Sequence, residues 1–151
     1  DVAPSRGLGD VYKRQSLYLG RTIDGLSAIA DYKQINKREK YQKVLSLYFD
    51  NYPNIIKKID EVLEDVKCSD QQKNDTKEVI RGKKISALRA QIVHFDFSKD
   101  KRLPNIEKVI KLMEIFECLI CDFIFENIKV NEKLRRELLK QQENLCLLQQ
   151  I

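Results

Sequence analysis

Arg89 and His94 are the two residues whose side chains and spacing best suit acid–base chemistry on a phosphate. His94 is the only histidine in the 151-residue chain, and Arg89 precedes it by five positions, in an R-x4-H pattern. An unperturbed imidazole titrates at about pH 6.5, so it can accept or donate a proton under cellular conditions. A guanidinium stays charged and presents a planar fork to phosphate oxygens. The pair therefore predicts proton transfer beside a bound phosphate.

The segment that carries this pair is expected to lie near the C-terminal end of a helix. It reads Leu88-Arg-Ala-Gln-Ile-Val-His-Phe-Asp96, and Ile92 and Val93 are expected to anchor it to the core. Residues five apart in a regular helix point about 140° apart around its axis. Convergence of Arg89 and His94 therefore needs the long reach of the arginine, an irregular turn near the histidine, or a partner subunit.

The elements that hold this segment are predicted to be helices nearly throughout. From Leu17 onward, apolar residues recur at steps of three and four, as on one face of a helix. Pro53 and Pro104 each suit the first turn of a helix, one helix is expected from about Asp75 to His94, and a last one from about Asn131. The sequence predicts an all-α bundle of about five to six helices. The stripes are Leu19, Ile23, Leu26 and Ala30; Tyr41, Val44, Leu45 and Tyr48; Ile55, Ile59, Val62, Leu63 and Val66; Ile85, Leu88 and Ile92; and Leu134, Leu138, Leu145 and Leu148.

The helix that follows Pro104 is the longest apolar element. It is apolar over most of its circumference, which predicts burial on several sides. It is either the central helix of the bundle or part of a subunit interface. Its apolar positions are Ile106, Val109, Leu112, Met113, Ile115, Phe116, Leu119, Ile120 and Phe123, and its narrow polar edge is Lys111, Glu114, Glu117 and Asp122.

Composition bounds the classes of function. A net charge of +5, from 28 basic and 23 acidic residues, tolerates a polyanionic partner without demanding one. Cys118 and Cys121 form a C-x-x-C inside an apolar run, with no second pair to complete a zinc site, so they are interpreted as buried and reduced. No metal, no cofactor and no membrane span are expected, and reduced thiols favour the cytoplasm.

The first fifteen residues are set apart from this reasoning. Residues 4–15, Pro-Ser-Arg-Gly-Leu-Gly-Asp-Val-Tyr-Lys-Arg-Gln, resemble a translated sequencing-adapter read of the kind found at the ends of metagenomic gene models. Residues 1–15 are therefore expected to be disordered or irregular, and residues 16–151 to form one helical domain. We expect the natural protein to extend further toward its N-terminus, with this domain as its C-terminal part.

With the motif in its helical context, the chain resembles the HEPN superfamily, and within it the domain at the C-terminus of ApeA-like defence proteins. That family carries R-N-x-x-x-H followed by an aromatic residue and an aspartate, and here the residues read Arg89-Ala-Gln-Ile-Val-His94-Phe95-Asp96. The similarity extends from about Leu17 to Leu139. One position departs from the pattern, because the residue after the arginine, usually asparagine, is Ala90.

The resemblance implies metal-independent cleavage of RNA by a domain of a prokaryotic antiviral defence or toxin–antitoxin system. Arg89 and His94 would be catalytic, with Gln91 and Asp96 as supporting residues. The 2′-hydroxyl of RNA can attack its own phosphodiester, and acid–base cleavage wants one group to take a proton and another to deliver one. Since one chain has one imidazole, a homodimer with both pairs at a shared cleft is expected.

Other readings stay open. A basic stripe one to three turns before Arg89 either guides the RNA backbone or is a solvated helix face; it consists of Lys77, Arg81 and Lys84. Tyr41, Tyr48 and Tyr52 are interpreted as core rather than base-stacking residues.

The domain as a whole is alternatively a weak or inactive HEPN module that binds RNA or mediates assembly, which Ala90 favours, or a plain helical interaction domain. Toxin members often continue His-x-Tyr, and Asp96 favours the ApeA-like group.

Overall fold

The computed structural model describes residues 4–36, 39–49, 51–68, 72–94, 105–134 and 137, except for the side chains of residues 4–10 and 12. Within these ranges the chain is helical and contains no strand, which confirms the predicted all-α bundle. Residues 132–134 are helical as well, close to the predicted start of a last helix. The five longer helices are α1 (Pro4–Tyr32), α2 (Lys40–Phe49), α3 (Pro53–Leu63), α4 (Lys77–Val93) and α5 (Ile106–Asn127).

Local chemistry sets where several helices begin. Pro53 occupies the first turn of α3, where its missing N–H costs nothing. At α4 the Thr76 hydroxyl accepts a hydrogen bond from the Val79 N–H at 3.4 Å. At α5 the Asn105 side chain accepts one from the Lys108 N–H at 2.8 Å. These caps satisfy N–H groups that lack partners within the helix. The α4 helix starts two residues after Asp75, its predicted start, and Pro104, predicted to open α5, lies outside the described residues.

The helices pack so that α1 contacts α2, α4 and α5, while α5 packs mainly against α1 and α3. The α5 helix therefore packs against fewer helices than α1 does, although α5 has the more apolar sequence. The core contains the predicted apolar stripes of α1 to α4, including Leu19, Ile59 and Leu88. The predicted stripe of α5 is buried in part: Val109, Leu112, Ile115, Phe116 and Leu119 belong to the core, whereas Ile106, Met113, Ile120 and Phe123 are only partly buried. Burying each core side chain contributes about 1.5–3 kcal/mol of transfer free energy.

Two features differ from what the sequence predicts. The chain is helical from Pro4, so disordered or irregular structure is the wrong expectation for residues 4–15. A helix propagates readily once a packed segment such as that around Leu19 has nucleated it. Asp122, expected on the polar edge of α5, is buried instead. Residues 1–3 lie outside the described ranges.

None of the helices that the structure describes is long and apolar enough to span a bilayer. The long apolar run of α5 is interrupted by charged residues that prevent it from serving as a span.

Candidate active site at the end of α4

His94 lies where α4 ends. The last helical residue is Val93, and His94 follows as the cap with φ −91° and ψ 0°, outside regular helical geometry. Its N–H still donates to the Ala90 carbonyl oxygen at 3.0 Å. The residue is exposed. The imidazole is therefore accessible to a ligand or a second subunit, and the helix becomes irregular at the position where the motif needs it.

Arg89 lies one turn earlier and is held by α1. Its Nε donates to Asp24 Oδ1 at 2.6 Å, and the arginine side chain is 42% exposed. The hydrogen bond to Asp24 raises the pKa of Arg89 above its usual range, so the guanidinium is charged at any physiological pH. Sequence reasoning missed Asp24 because it lies 65 positions before Arg89, and no short motif links the two.

Tyr41 and Lys40, at the start of α2, complete the surroundings of Arg89. Burial raises the pKa of Tyr41, the charge of Asp24 raises it further, and the charge of Arg89 lowers it, so all three residues are close in space. The Lys40 ammonium lies 5.2 Å from the centre of the Tyr41 ring and donates to Ser27 Oγ at 2.6 Å. Two cations, Lys40 and Arg89, therefore lie close to Tyr41.

Gln91, the supporting residue within α4, does not share the exposed surface on which His94 lies. Gln91 is buried, and its Nε2 has no hydrogen-bond partner among the described residues. Asp96 lies outside the described residues. Ile92 is buried as expected, but Val93 is 47% exposed, so only one of the two anchors the segment.

The basic stripe on α4 is mostly engaged within the fold. Arg81 is buried, and its Nε and Nη2 donate to the two Asp60 carboxylate oxygens at 2.7 and 2.8 Å, so its guanidinium is engaged within the fold. Lys84 Nζ donates to the Leu63 carbonyl oxygen at 3.0 Å, at the end of α3. Lys77 is exposed. It starts α4, about 18 Å along the helix axis from Arg89.

Exposed apolar side chains lie on α1 and α4 toward the end of α4 that carries His94. Gly20 packs against Ile92, since a methyl group at Gly20 would lie 3.2 Å from Ile92 Cγ2. Together with the Asp24–Arg89 bond, this contact shows that α1 and α4 run antiparallel. Residues that precede Gly20 therefore lie toward the His94 end of α4. The exposed apolar side chains on these two stretches include Val11, Leu17, Tyr18 and Val93.

The cysteine pair of α5 behaves as a packed pair of thiols. Cys118 is buried, and burial raises its pKa to about 12; burial also raises the pKa of Cys121. A thiol with so high a pKa is neither a nucleophile nor a ready metal ligand. Among the residues that the structure describes, no group of three or more His, Cys, Asp or Glu side chains could hold a metal ion.

Comparison with known proteins does not identify the chain. No family model, no curated protein and no solved structure matches it. The interpretation of the site therefore depends on the residues themselves and on their geometry.

Proposed function

We propose that this domain is a metal-independent endoribonuclease of the HEPN type, from a prokaryotic defence or toxin system. The observation that carries the proposal is the exposure of the sole imidazole, His94, at the same helix end as the charged guanidinium of Arg89. His94 would take the proton of the ribose 2′-hydroxyl as the 2′-oxygen attacks the adjacent phosphorus. The P–O5′ bond would break to leave a 2′,3′-cyclic phosphate, and the leaving 5′-oxygen would take a proton from the imidazole of a second subunit. Arg89 would stabilise the negative charge that builds on the phosphoryl oxygens.

Lys40 joins Arg89 as a candidate phosphate ligand. It starts α2, and the N-terminus of a helix favours anions. Because Arg89 also lies close to Tyr41, Lys40 offers a second cation to the same RNA backbone. Lys40 and Arg89 thus replace Arg81 and Lys84 as the residues expected to hold the substrate, and Lys77 remains a more distant candidate.

Asp24 has a positioning role in this proposal. Its carboxylate holds Arg89 through Nε and leaves the Nη edge of the guanidinium to face a phosphate. A carboxylate so close to the phosphate also repels it. The same ion pair therefore supports a second candidate function, an RNA-binding or assembly module of the same fold with little or no cleavage, in which the pair is purely structural.

A homodimer belongs to the proposal because general acid–base cleavage requires a second proton-transfer group, and the chain has one histidine. Leu17, Tyr18 and Val93 are exposed apolar side chains toward the His94 end of α1 and α4, and exposed apolar surface favours association with another protein surface. We expect Val93→Asp to shift the protein to the monomer in analytical ultracentrifugation and to abolish cleavage.

The deciding experiment is cleavage of single-stranded RNA by the purified domain in EDTA. We expect the His94→Ala variant to lose about 10²- to 10⁴-fold in rate, as is usual when a general acid or base is removed. Lys111→Ala, which removes an exposed cation from α5, is the matched control and should cleave at the parental rate.

Three results would separate the candidate functions. Cleavage that resists EDTA and requires His94 supports the nuclease. Retention of RNA in a gel shift without cleavage supports the RNA-binding module. Neither cleavage nor retention would leave a helical interaction domain.

A further inference from the structure

A groove between α3 and α4 lies apart from His94 and Arg89. It has a volume of about 250 Å³. Since a water molecule takes up about 30 Å³ of liquid, the groove has room for one or two side chains of a partner. It adjoins the first half of α4, whereas His94 ends that helix. Its lining includes Asp60, Leu63, Lys77, Ile80, Arg81 and Lys84.

The exposed lining of this groove is mostly apolar. Leu63 is buried and Ile80 is half-buried. No aromatic side chain of the described residues lines the groove. Proteins that bind single-stranded RNA without sequence preference combine cations with aromatic rings on which the bases stack. The groove therefore suits apolar side chains of a protein better than it suits RNA.

The groove carries an excess of positive charge. Asp60, the carboxylate in its lining, accepts hydrogen bonds on both oxygens from Arg81, so that negative charge is balanced within the fold. Lys84 Nζ donates to the main-chain carbonyl oxygen of Leu63 at 3.0 Å. Neither Lys84 nor the exposed Lys77 makes an ion pair with a described residue. Both ammonium groups are therefore available to carboxylates of a partner, and complementary charge of this kind guides association.

The lining residues of α4 have the spacing of one helix face. Lys77, Ile80 and Lys84 occupy positions i, i+3 and i+7, so they lie on the same side of the helix. The two lysines are about 10.5 Å apart along the helix axis, and Ile80 lies between them. A second helix with acidic residues seven positions apart repeats this distance. Apolar residues three or four positions after the first acidic residue of that helix would then face Ile80.

We propose that the groove between α3 and α4 is a docking site for an amphipathic helix of a partner protein, with acidic residues seven positions apart and apolar residues between them. The acidic side chains would pair with Lys77 and Lys84. The apolar side chains would cover Ile80 and enter the groove. Arg89 and His94 take no part in these contacts, so the inference does not depend on the nuclease proposal.

The test uses the full chain labelled with ¹⁵N and a designed helical peptide as the probe. The peptide consists of alanine and glutamine over about 19 residues, long enough to populate a helix, with glutamates at positions i and i+7 and leucines at i+3 and i+4. We expect it to shift the amide resonances of Leu63, Ile80 and Lys84. A matched peptide with glutamine in place of both leucines keeps the charges and should bind at least about threefold more weakly, because it buries less apolar surface. Equal binding of the two peptides, or shifts confined to another surface, would overturn the proposal.

A charge reversal tests the contact with Lys77. Lys77→Glu should weaken binding of the leucine peptide at least about threefold, whereas the same change at Lys111, on α5, should not. Both lysines are exposed, so both variants are expected to fold. One of the two peptides with lysine in place of a single glutamate should restore binding to the Lys77→Glu protein, and the position of that lysine gives the direction of the partner helix.

Two further results would refute the docking site. Unchanged binding by the Lys77→Glu protein, or failure of both lysine peptides to restore it, would show that no acidic residue pairs with Lys77. Stronger shifts of the same amides with oligouridine than with the leucine peptide would assign the groove to RNA and refute a protein partner.

Discussion

Two arginine–aspartate pairs on one helix, α4, differ in nearly every physical respect. Arg81 is 2% exposed and makes two hydrogen bonds to Asp60 on α3, whereas Arg89 is 42% exposed and bonds to Asp24 on α1 through Nε. The two arginines are eight residues apart, which places them about 80° apart around the helix axis. Identical residue types therefore serve the fold at one end of α4 and remain accessible for chemistry at the other.

Exposure, not residue type, therefore separates a cation that is fixed in the fold from one that a ligand can reach. The bidentate pair on α4 has one buried member, and removal of Asp60 would leave the buried guanidinium of Arg81 without compensation. A pair that is half exposed, such as Arg89 with Asp24, is screened by water and contributes little to folding. Such a pair can rearrange at low cost.

The largest effect is expected on RNA cleavage when Arg89 is removed, and its absence would contradict the contrast drawn between Arg89 and Arg81. We expect Arg89→Ala to lower the rate of RNA cleavage by about 10²- to 10³-fold, as is typical for the loss of one donor that stabilises transition-state charge. Cleavage of single-stranded RNA in EDTA, measured per mole of folded protein, tests this. Lys111→Ala serves as the control, and an Arg89→Ala protein with parental activity would show that the guanidinium is structural.

The second effect concerns stability. We expect Asp60→Ala to lower the free energy of unfolding by about 3 kcal/mol, because it leaves the buried guanidinium of Arg81 without a counter-charge. Asp24→Ala should cost less than about 1 kcal/mol, since its pair with Arg89 is exposed. Urea denaturation of both variants, followed by circular dichroism, measures the two values. Equal losses would mean that the two ion pairs do not differ as their exposure indicates.

A smaller effect is expected at Gly82, beside the buried pair. A Cβ there would lie 3.1 Å from both the Cβ and the backbone nitrogen of Gln42 on α2. The clash, worth about 1–3 kcal/mol, should outweigh the gain of about 1 kcal/mol in helix propensity. We therefore expect Gly82→Ala to be destabilising in thermal unfolding, whereas Ser86→Ala, on the exposed face of α4, should be neutral or stabilising. A stabilised Gly82→Ala protein would show that α2 and α4 can separate freely at this contact.

The smallest effect is expected at Ala90, the exposed residue that follows Arg89 on α4. Ala90 is exposed, so Ala90→Asn should cost no more than about 0.7 kcal/mol of stability through helix propensity. The amide restores the residue that the HEPN motif usually carries. One added hydrogen bond of about 0.5–1.5 kcal/mol predicts a two- to tenfold faster cleavage of RNA. A slower enzyme would indicate that the methyl group of Ala90 is itself needed at this surface.

Much of the fold could be predicted from the periodicity of apolar residues. The stripes Leu19–Ala30 and Ile55–Val66 are buried as expected, and Pro53 marks the start of α3. The starts of α3 and α4 were predicted to within two residues, whereas α1 begins at Pro4, well before Leu17. The exact starts of α4 and α5 depend on capping by Thr76 and Asn105. The exposure of Val93 and the burial of Asp122 were not predicted, because a few tens of degrees around a helix decide which neighbour covers a side chain.

Spacing along the chain is sufficient to predict the helical class, the positions of the apolar stripes, and Arg89 and His94 as the candidate pair for acid–base chemistry. Only the tertiary structure decided that Asp24 holds Arg89, that Asp60 engages Arg81, and that Lys40 and Tyr41 adjoin the motif. Each of these contacts joins residues from different helices. Pairing across helices depends on how those helices are rotated and stacked, and packing of the whole core fixes that arrangement.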